Sequence, residues 1–186
     1  MAEVQAVKSK DTISLISHLL EIRFGMQISL VWQLGINLGL RISDLLSIRF
    51  SDIKDNRLIL VESKTNKRAS IFLNDKALSL ITQLREQHSE HEYIFQSYRS
   101  RTVKNKPPRP LSRRAVGDAF QQVGQEVKIA LGTHSMRKTR GYHLYKETKD
   151  IGRVMKMLRH SSVEQTLRYI GITQEEIDTD FKRLVL

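Results

Sequence analysis

The chain has 186 residues, 40% of them hydrophobic, which is enough for one compact domain with its own core; it has no cysteine, which excludes disulfides, thiolate zinc sites and cysteine nucleophiles. Thirty-one Lys and Arg stand against 20 Asp and Glu, a net charge of +11 that favours a polyanionic partner, because each phosphate neutralised releases condensed counterions. No apolar run reaches membrane-spanning length, no signal pattern opens the chain, and no long basic amphipathic helix points to an acidic membrane surface, so a soluble cytoplasmic protein is expected.

The first ten residues are polar and expected to fray. Residues 11–24 carry Ile13, Ile16, Leu19, Leu20 and Phe24 at helical spacing. A more buried helix follows over 27–38, around Ile28, Val31, Trp32, Leu34 and Leu38, and Gly39 ends it. Ser43 offers an N-cap for a short helix over 44–48. Residues 57–63 (RLILVES) and 69–73 (ASIFL) read as strands, with Thr65-Asn66 at the hairpin tip. Asn74 caps a helix over 75–88, and residues 93–96 are a candidate third strand. Residues 98–114 hold all three prolines and seven cations, Arg99, Arg101, Lys104, Lys106, Arg109, Arg113 and Arg114, with no acid between them. This is an exposed loop, read as a DNA-backbone contact with a solvated linker as the alternative. Ser112 then caps a helix to about residue 130. Gly132-Thr133 reopens helix at 134, running to about 146, and further helices cover 150–158, 163–169 and 174–183. The expected fold class is mainly α with a small antiparallel β-sheet, a single domain over 1–186 with a C-terminal helical tail over 173–186.

Four segments can carry chemistry: GLRISDLLSIRFSDI (39–53), ESKTNKRASIFL (62–73), THSMRKT (133–139) and LRHSSVEQTLRYIGI (158–172). His134 and Arg137 lie three apart, on one face of a helix; arginine offers bidentate bonds to phosphate oxygens and histidine can donate or shuttle a proton. Alone, such a pair is usually plain surface. His160 and Tyr169 are nine apart, about 900° of turn on an unbroken helix, which puts them on opposite faces. Ser162 with Gln165, or Ser161 with Glu164, makes a capping box, so a new helix starts after His160 and its first two turns carry Tyr169. The bland alternative for Tyr169 is a packed amphipathic ring. Lys64 enters the hairpin tip, where it is either a hydrophilic turn residue or free to swing into a cleft. Arg41 sits among Leu38, Leu40, Ile42 and Leu45, where a guanidinium needs a partner or an anion.

In order and spacing these residues resemble the tyrosine recombinase, or phage integrase, family. Its members show an Arg in a Gly-Leu-Arg-Ile-Ser-Glu-Leu-like box, a Lys on a β-hairpin and a His-x-x-Arg. A His or Trp follows in a Gly-His-Ser-Ser-like box, with a Tyr some nine residues later. The matching positions are Arg41, Lys64, His134, Arg137, His160 and Tyr169, and the resemblance covers roughly residues 25–175. Asp44 stands where the family often has Glu, and Arg159 where Gly commonly precedes the second His. No N-terminal core-binding domain is expected, so the chain resembles the small stand-alone recombinases of the fimbrial phase-switch type; an excised catalytic domain is the alternative.

The resemblance implies the DNA breaking–rejoining fold of integrase catalytic domains and a site-specific recombinase. Tyr169 would attack a phosphodiester and leave a 3′-phosphotyrosine. Arg41 and Arg137 would clamp the non-bridging oxygens, Lys64 would protonate the leaving 5′-oxygen, His134 would take the tyrosine proton and His160 would hydrogen-bond the phosphate. It implies no metal or other cofactor, and double-stranded DNA as partner, with the protein monomeric alone and homotetrameric on paired sites. The tail begins acidic (Glu175, Glu176, Asp178, Asp180) and presents Ile177, Phe181 and Leu184 as an apolar stripe, which either docks on a neighbouring subunit or packs on its own chain. The alternatives in function are a type IB topoisomerase-like enzyme and a non-catalytic DNA-binding regulator. An RNA-binding module lacks support, because no aromatic RNA-binding motif is present.

Overall fold

Helix α2 (Met26–Leu38) is the buried spine of the structure, a computed structural model that describes residues 3–97 and 107–185. Leu30, Val31, Trp32 and Leu34 are all buried, the mark of a helix covered on more than one side. Helix α1 (Lys10–Phe24), capped by Ser9, lies against it with Ile16 and Leu20 inward. The Trp32 indole meets the Phe120 ring edge-on at 5.5 Å and donates to the Ile13 carbonyl at 3.2 Å. One side chain thereby ties α1 and α2 to helix α5 (Arg113–Glu126). Gly39 ends α2 as expected, with a left-handed backbone at φ 64°.

Helix α3 (Ile42–Leu46) starts directly after Arg41, not after Ser43. Arg41 takes the extended N-cap backbone, and Ser43 sits in the first turn with its hydroxyl 3.2 Å from that of Ser63. A 3-10 turn, Phe50–Asp52, leads into an antiparallel sheet in the order β1 (Ile53–Lys54), β2 (Arg57–Val61), β3 (Arg68–Phe72). The expected hairpin is β2–β3, paired from Arg57↔Phe72 to Val61↔Arg68. The third strand is not where the sequence put it. Asp55 and Asn56, at φ 49° and 57°, make a primed two-residue turn that pairs β1 with β2. Residues 93–96 make only isolated bridges, Arg49↔Tyr93 and Gln96↔Pro110. They are held between two loops, Ile94 N–H donating to Ile48 O and Leu111 N–H to Phe95 O.

Helix α4 (Asp75–Gln87) is capped by Asn74 as expected. Helix α5 starts from the Ser112 cap, so Arg113 and Arg114 belong to its first turn and not to the loop. It stops at Glu126, short of residue 130, because Lys128 turns left-handed at φ 54° and Ile129 N–H closes back on Gly124 O. Helices α6 (Ser135–Thr148), α7 (Ile151–Leu158) and α8 (Val163–Ile170) enclose a second small core of Tyr142, Val154, Leu158 and Ile170. A Cβ at Gly141 would lie 2.8 Å from Ile170 Cγ2, so α6 and α8 approach this closely only because position 141 has no side chain. Helix α9 (Gln174–Arg183) follows. The described residues ahead of α1 are not frayed. Val7 is buried, its N–H donates to Thr139 Oγ1 at 2.9 Å, and Gln5 N–H donates to Ala130 O, forming a strap across α6. Among the described residues, no helix is long and apolar enough to cross a membrane.

Candidate active site

The break between α7 and α8 folds Tyr169 back beside His160. Ser162 Oγ accepts from Gln165 N–H at 3.2 Å, which starts the new helix where the capping pattern placed it. The Tyr169 and His160 rings then meet edge-on, 4.9 Å between centroids. From the other side comes His134, the N-cap residue of α6, whose Nδ1 lies 3.3 Å from the Tyr169 hydroxyl. The Lys138 ammonium, buried and paired with Glu3 at 2.7 Å, sits 5.0 Å from the Tyr169 ring centroid. Burial pushes the Tyr169 phenol above its ordinary value, against the pull of the Arg137 and Arg41 guanidiniums. Burial also holds His134 below the ordinary histidine value, helped by Arg113, Arg137, Lys138 and Arg41. A neutral His134 has a lone pair to receive the tyrosine proton.

His160 is oriented by Thr166. Its Nδ1 lies 3.2 Å from Thr166 Oγ1, and that hydroxyl donates its own proton to Ser162 O at 2.7 Å. Thr166 must therefore accept from His160 Nδ1–H, which leaves Nε2 as the free edge of the ring. Burial, then Arg137 and Arg41, keep this histidine below its ordinary value.

Arg137 is 4% exposed. Its Nη1 donates to Gly39 O at 2.6 Å and its Nη2 to Leu158 O at 2.5 Å, so it closes the carbonyl ends of α2 and α7 while facing the tyrosine. Arg41 finds the partner its apolar neighbourhood requires: Nη1 is 3.0 Å from Glu62 Oε2 and 4.0 Å from Asp44 Oδ2. Both carboxylates are buried, and Asp44 Oδ1 accepts from the N–H and hydroxyl of Ser63. Glu62 also binds Arg159, Nη1 to Oε2 at 3.0 Å. Arg41 and Arg159 thus pair with the two carboxylates, while Arg137, bonded to backbone carbonyls, adds a further positive charge beside which an anion can bind.

His134, Arg137, His160 and Tyr169 are gathered directly, and Arg41 joins them through charge. Lys64 is exposed on the β2–β3 turn, and no contact of its ammonium is found among the described residues. Of the basic stretch, Arg109, Arg113 and Arg114 are exposed, with Arg114 3.7 Å from Asp118. Arg99, Arg101, Lys104 and Lys106 lie outside the described residues. The sequence reading missed Glu62, Thr166 and Lys138. Glu62 had a signal, since residues 58, 60 and 62 share one phase of the β2 pleat and the first two are leucines.

A family model described as the phage integrase family matches residues 7–176. A probable integrase/recombinase YoeC of Bacillus subtilis (strain 168) is 37% identical over 153 residues, 80% of this chain and 79% of the relative. Transposase A from transposon Tn554 of Staphylococcus aureus is 27% identical over 161 residues, 78% of this chain but only 44% of the relative. Among solved structures, a lambda integrase dimer bound to a COC′ core site matches with a TM-score of 0.68 at 20% identity, over 92% of this chain and 61% of that one, a likeness of fold.

Proposed function

The chain belongs to the phage integrase family, and from that premise we propose that it breaks and rejoins double-stranded DNA at specific sites through a covalent tyrosine. The observation that carries this is the Tyr169 hydroxyl held 3.3 Å from His134 Nδ1 with the buried Arg137 beside it. A phenol raised by burial is a poor nucleophile until a base takes its proton and the phosphorus it attacks lies beside it. The scissile phosphate settles against the guanidiniums of Arg41 and Arg137, and neutral His134 takes the proton. The Tyr169 oxygen attacks phosphorus, the 3′-phosphotyrosine forms, and the 5′-oxygen leaves with a proton from Lys64. The arginines stabilise the charge of the pentacoordinate transition state. His160, bare at Nε2 when neutral, takes up a proton to donate to the phosphate. Because the phosphotyrosine retains the energy of the cleaved bond, an incoming 5′-hydroxyl can reverse the step without ATP.

The partner in this proposal is duplex DNA, bound by a monomer that assembles as a homotetramer on two sites. The tail supports that assembly. Glu176 ties the start of α9 to the chain through Lys8 at 3.1 Å and Lys146 at 3.3 Å, while Phe181 and Leu184 are 80% and 70% exposed. Apolar side chains this exposed suit a second protein surface better than water. Nicked duplexes bearing candidate target sites, which lose a short strand on cleavage, test the proposal. A protein linked to the 3′ end is expected; linkage to the 5′ end or no linkage at any site rejects it.

A further inference from the structure

Arg159, the C-cap of α7, has a left-handed backbone, φ 52°, immediately before His160. Glycine fills such a position without steric cost, so an arginine here has no backbone advantage. Its side chain makes two contacts, Nη1 lying 3.0 Å from Glu62 Oε2 and 3.3 Å from Thr65 Oγ1. Glu62 Oε2 also takes Arg41 Nη1 at 3.0 Å and the Thr65 hydroxyl at 2.9 Å. The backbone of Glu62 is fixed as well: its N–H donates to Lys67 O, and its carbonyl accepts from Asn66 N–H. Glu62 is therefore the base of the β2–β3 turn, and Lys64 lies within that turn.

We propose that Arg159 is a latch. It fastens the turn that carries Lys64 to the loop that carries His160, and so fixes where the lysine ammonium meets the leaving oxygen. This rests on the reading of Lys64 as the general acid. Arg159 acts as a positioning residue and not as a DNA contact. Its guanidinium is held by a carboxylate that is 4% exposed, where solvent screens the attraction little, and a phosphate would have to displace that pairing. Hairpin turns are among the first segments of a fold to open, and a general acid must stay within hydrogen-bonding reach of its target. A turn left loose would deliver Lys64 only part of the time.

Arg159→Gly tests the latch, because glycine keeps the left-handed backbone and removes only the side chain. The first readout is native-state amide exchange at Glu62 and Asn66. It is expected to quicken about tenfold in the variant, with exchange in α2 unchanged. Unchanged exchange at those two amides overturns the latch, whatever the protein does to DNA. The second readout is single-turnover cleavage of matched substrates with a 5′-oxygen or a 5′-thio leaving group. The variant is expected to slow the oxygen substrate about tenfold and the thio substrate less than about twofold, since a thiolate departs without a proton. Equal losses on both overturn the positioning role when Lys64→Ala still discriminates between the substrates. If Lys64→Ala fails to discriminate too, and the exchange has quickened, the latch stands and the assignment of Lys64 as acid is what fails.

Discussion

Replacing Arg137 with alanine is expected to weaken the fold as well as the chemistry. Arg137 makes two charge-assisted bonds, to Gly39 O at 2.6 Å and Leu158 O at 2.5 Å, from a side chain that is almost fully buried. Such bonds contribute about 1.5–3 kcal/mol each, and alanine would leave two carbonyls at helix ends without a donor. Offsetting this, the variant no longer buries a charge, the same burial that holds Arg137 below the ordinary arginine value. The net loss is about 2–4 kcal/mol, a large share of a typical stability of about 5–15 kcal/mol. Arg41→Ala should also destabilise, by about 3 kcal/mol, because Glu62 keeps Arg159 and Thr65 as partners but the buried Asp44 Oδ2 loses the guanidinium 4.0 Å away. Urea unfolding followed by Trp32, the chain's one tryptophan and fully buried, measures both. Either variant unfolding at the wild-type midpoint would contradict the role given to its guanidinium.

Stability should decline as pH falls from about 7 through the ordinary histidine range. His134 and His160 are both held below that range, so the folded state binds fewer protons than the unfolded chain, and the stability they contribute above it is lost toward their lowered values. A His134→Asn/His160→Asn variant should flatten the dependence of the urea midpoint between pH 8 and pH 5.5, and an unchanged slope would place the titration elsewhere. Thr166→Val keeps the buried volume but removes the acceptor of His160 Nδ1–H; cleavage should slow about tenfold, and not further in a His160→Asn background. DNA affinity should fall with salt with a log–log slope of several units, and alanines at Arg99, Arg101, Lys104 and Lys106 should flatten it; an equal slope moves the phosphate contact off that loop.

What could be read ahead of the structure was local chemistry. Asn74, Ser112 and Ser162 cap helices where expected, because a short polar side chain reaches its own backbone three residues on, which spacing reveals; Ser9 and Asp150 cap helices in the same way but were not picked out. The same logic brought Tyr169 back beside His160. What escaped depends on the fold as a whole. The strap looked polar and loose, yet Val7 is anchored to Thr139, 132 positions away. The two carbonyls that claim Arg137 come from helices far apart in sequence. Strand β1 was missed for a different reason: only two residues long, it carries no alternation to detect, and its sign was the Asp55-Asn56 turn.

Tyr169 as the nucleophile is tested most directly by digesting the trapped protein–DNA adduct and sequencing the peptide that carries the DNA. Of the other tyrosines, Tyr93 is bonded to Arg49, and Tyr142 packs in the small core beneath Lys8 and Lys146. Tyr145 faces Lys149, and Tyr98 lies outside the described residues. The DNA is expected on Tyr169, with Tyr169→Phe binding DNA as well as the wild type but yielding no adduct. DNA found on any other tyrosine, or an adduct that survives in Tyr169→Phe, would contradict this assignment.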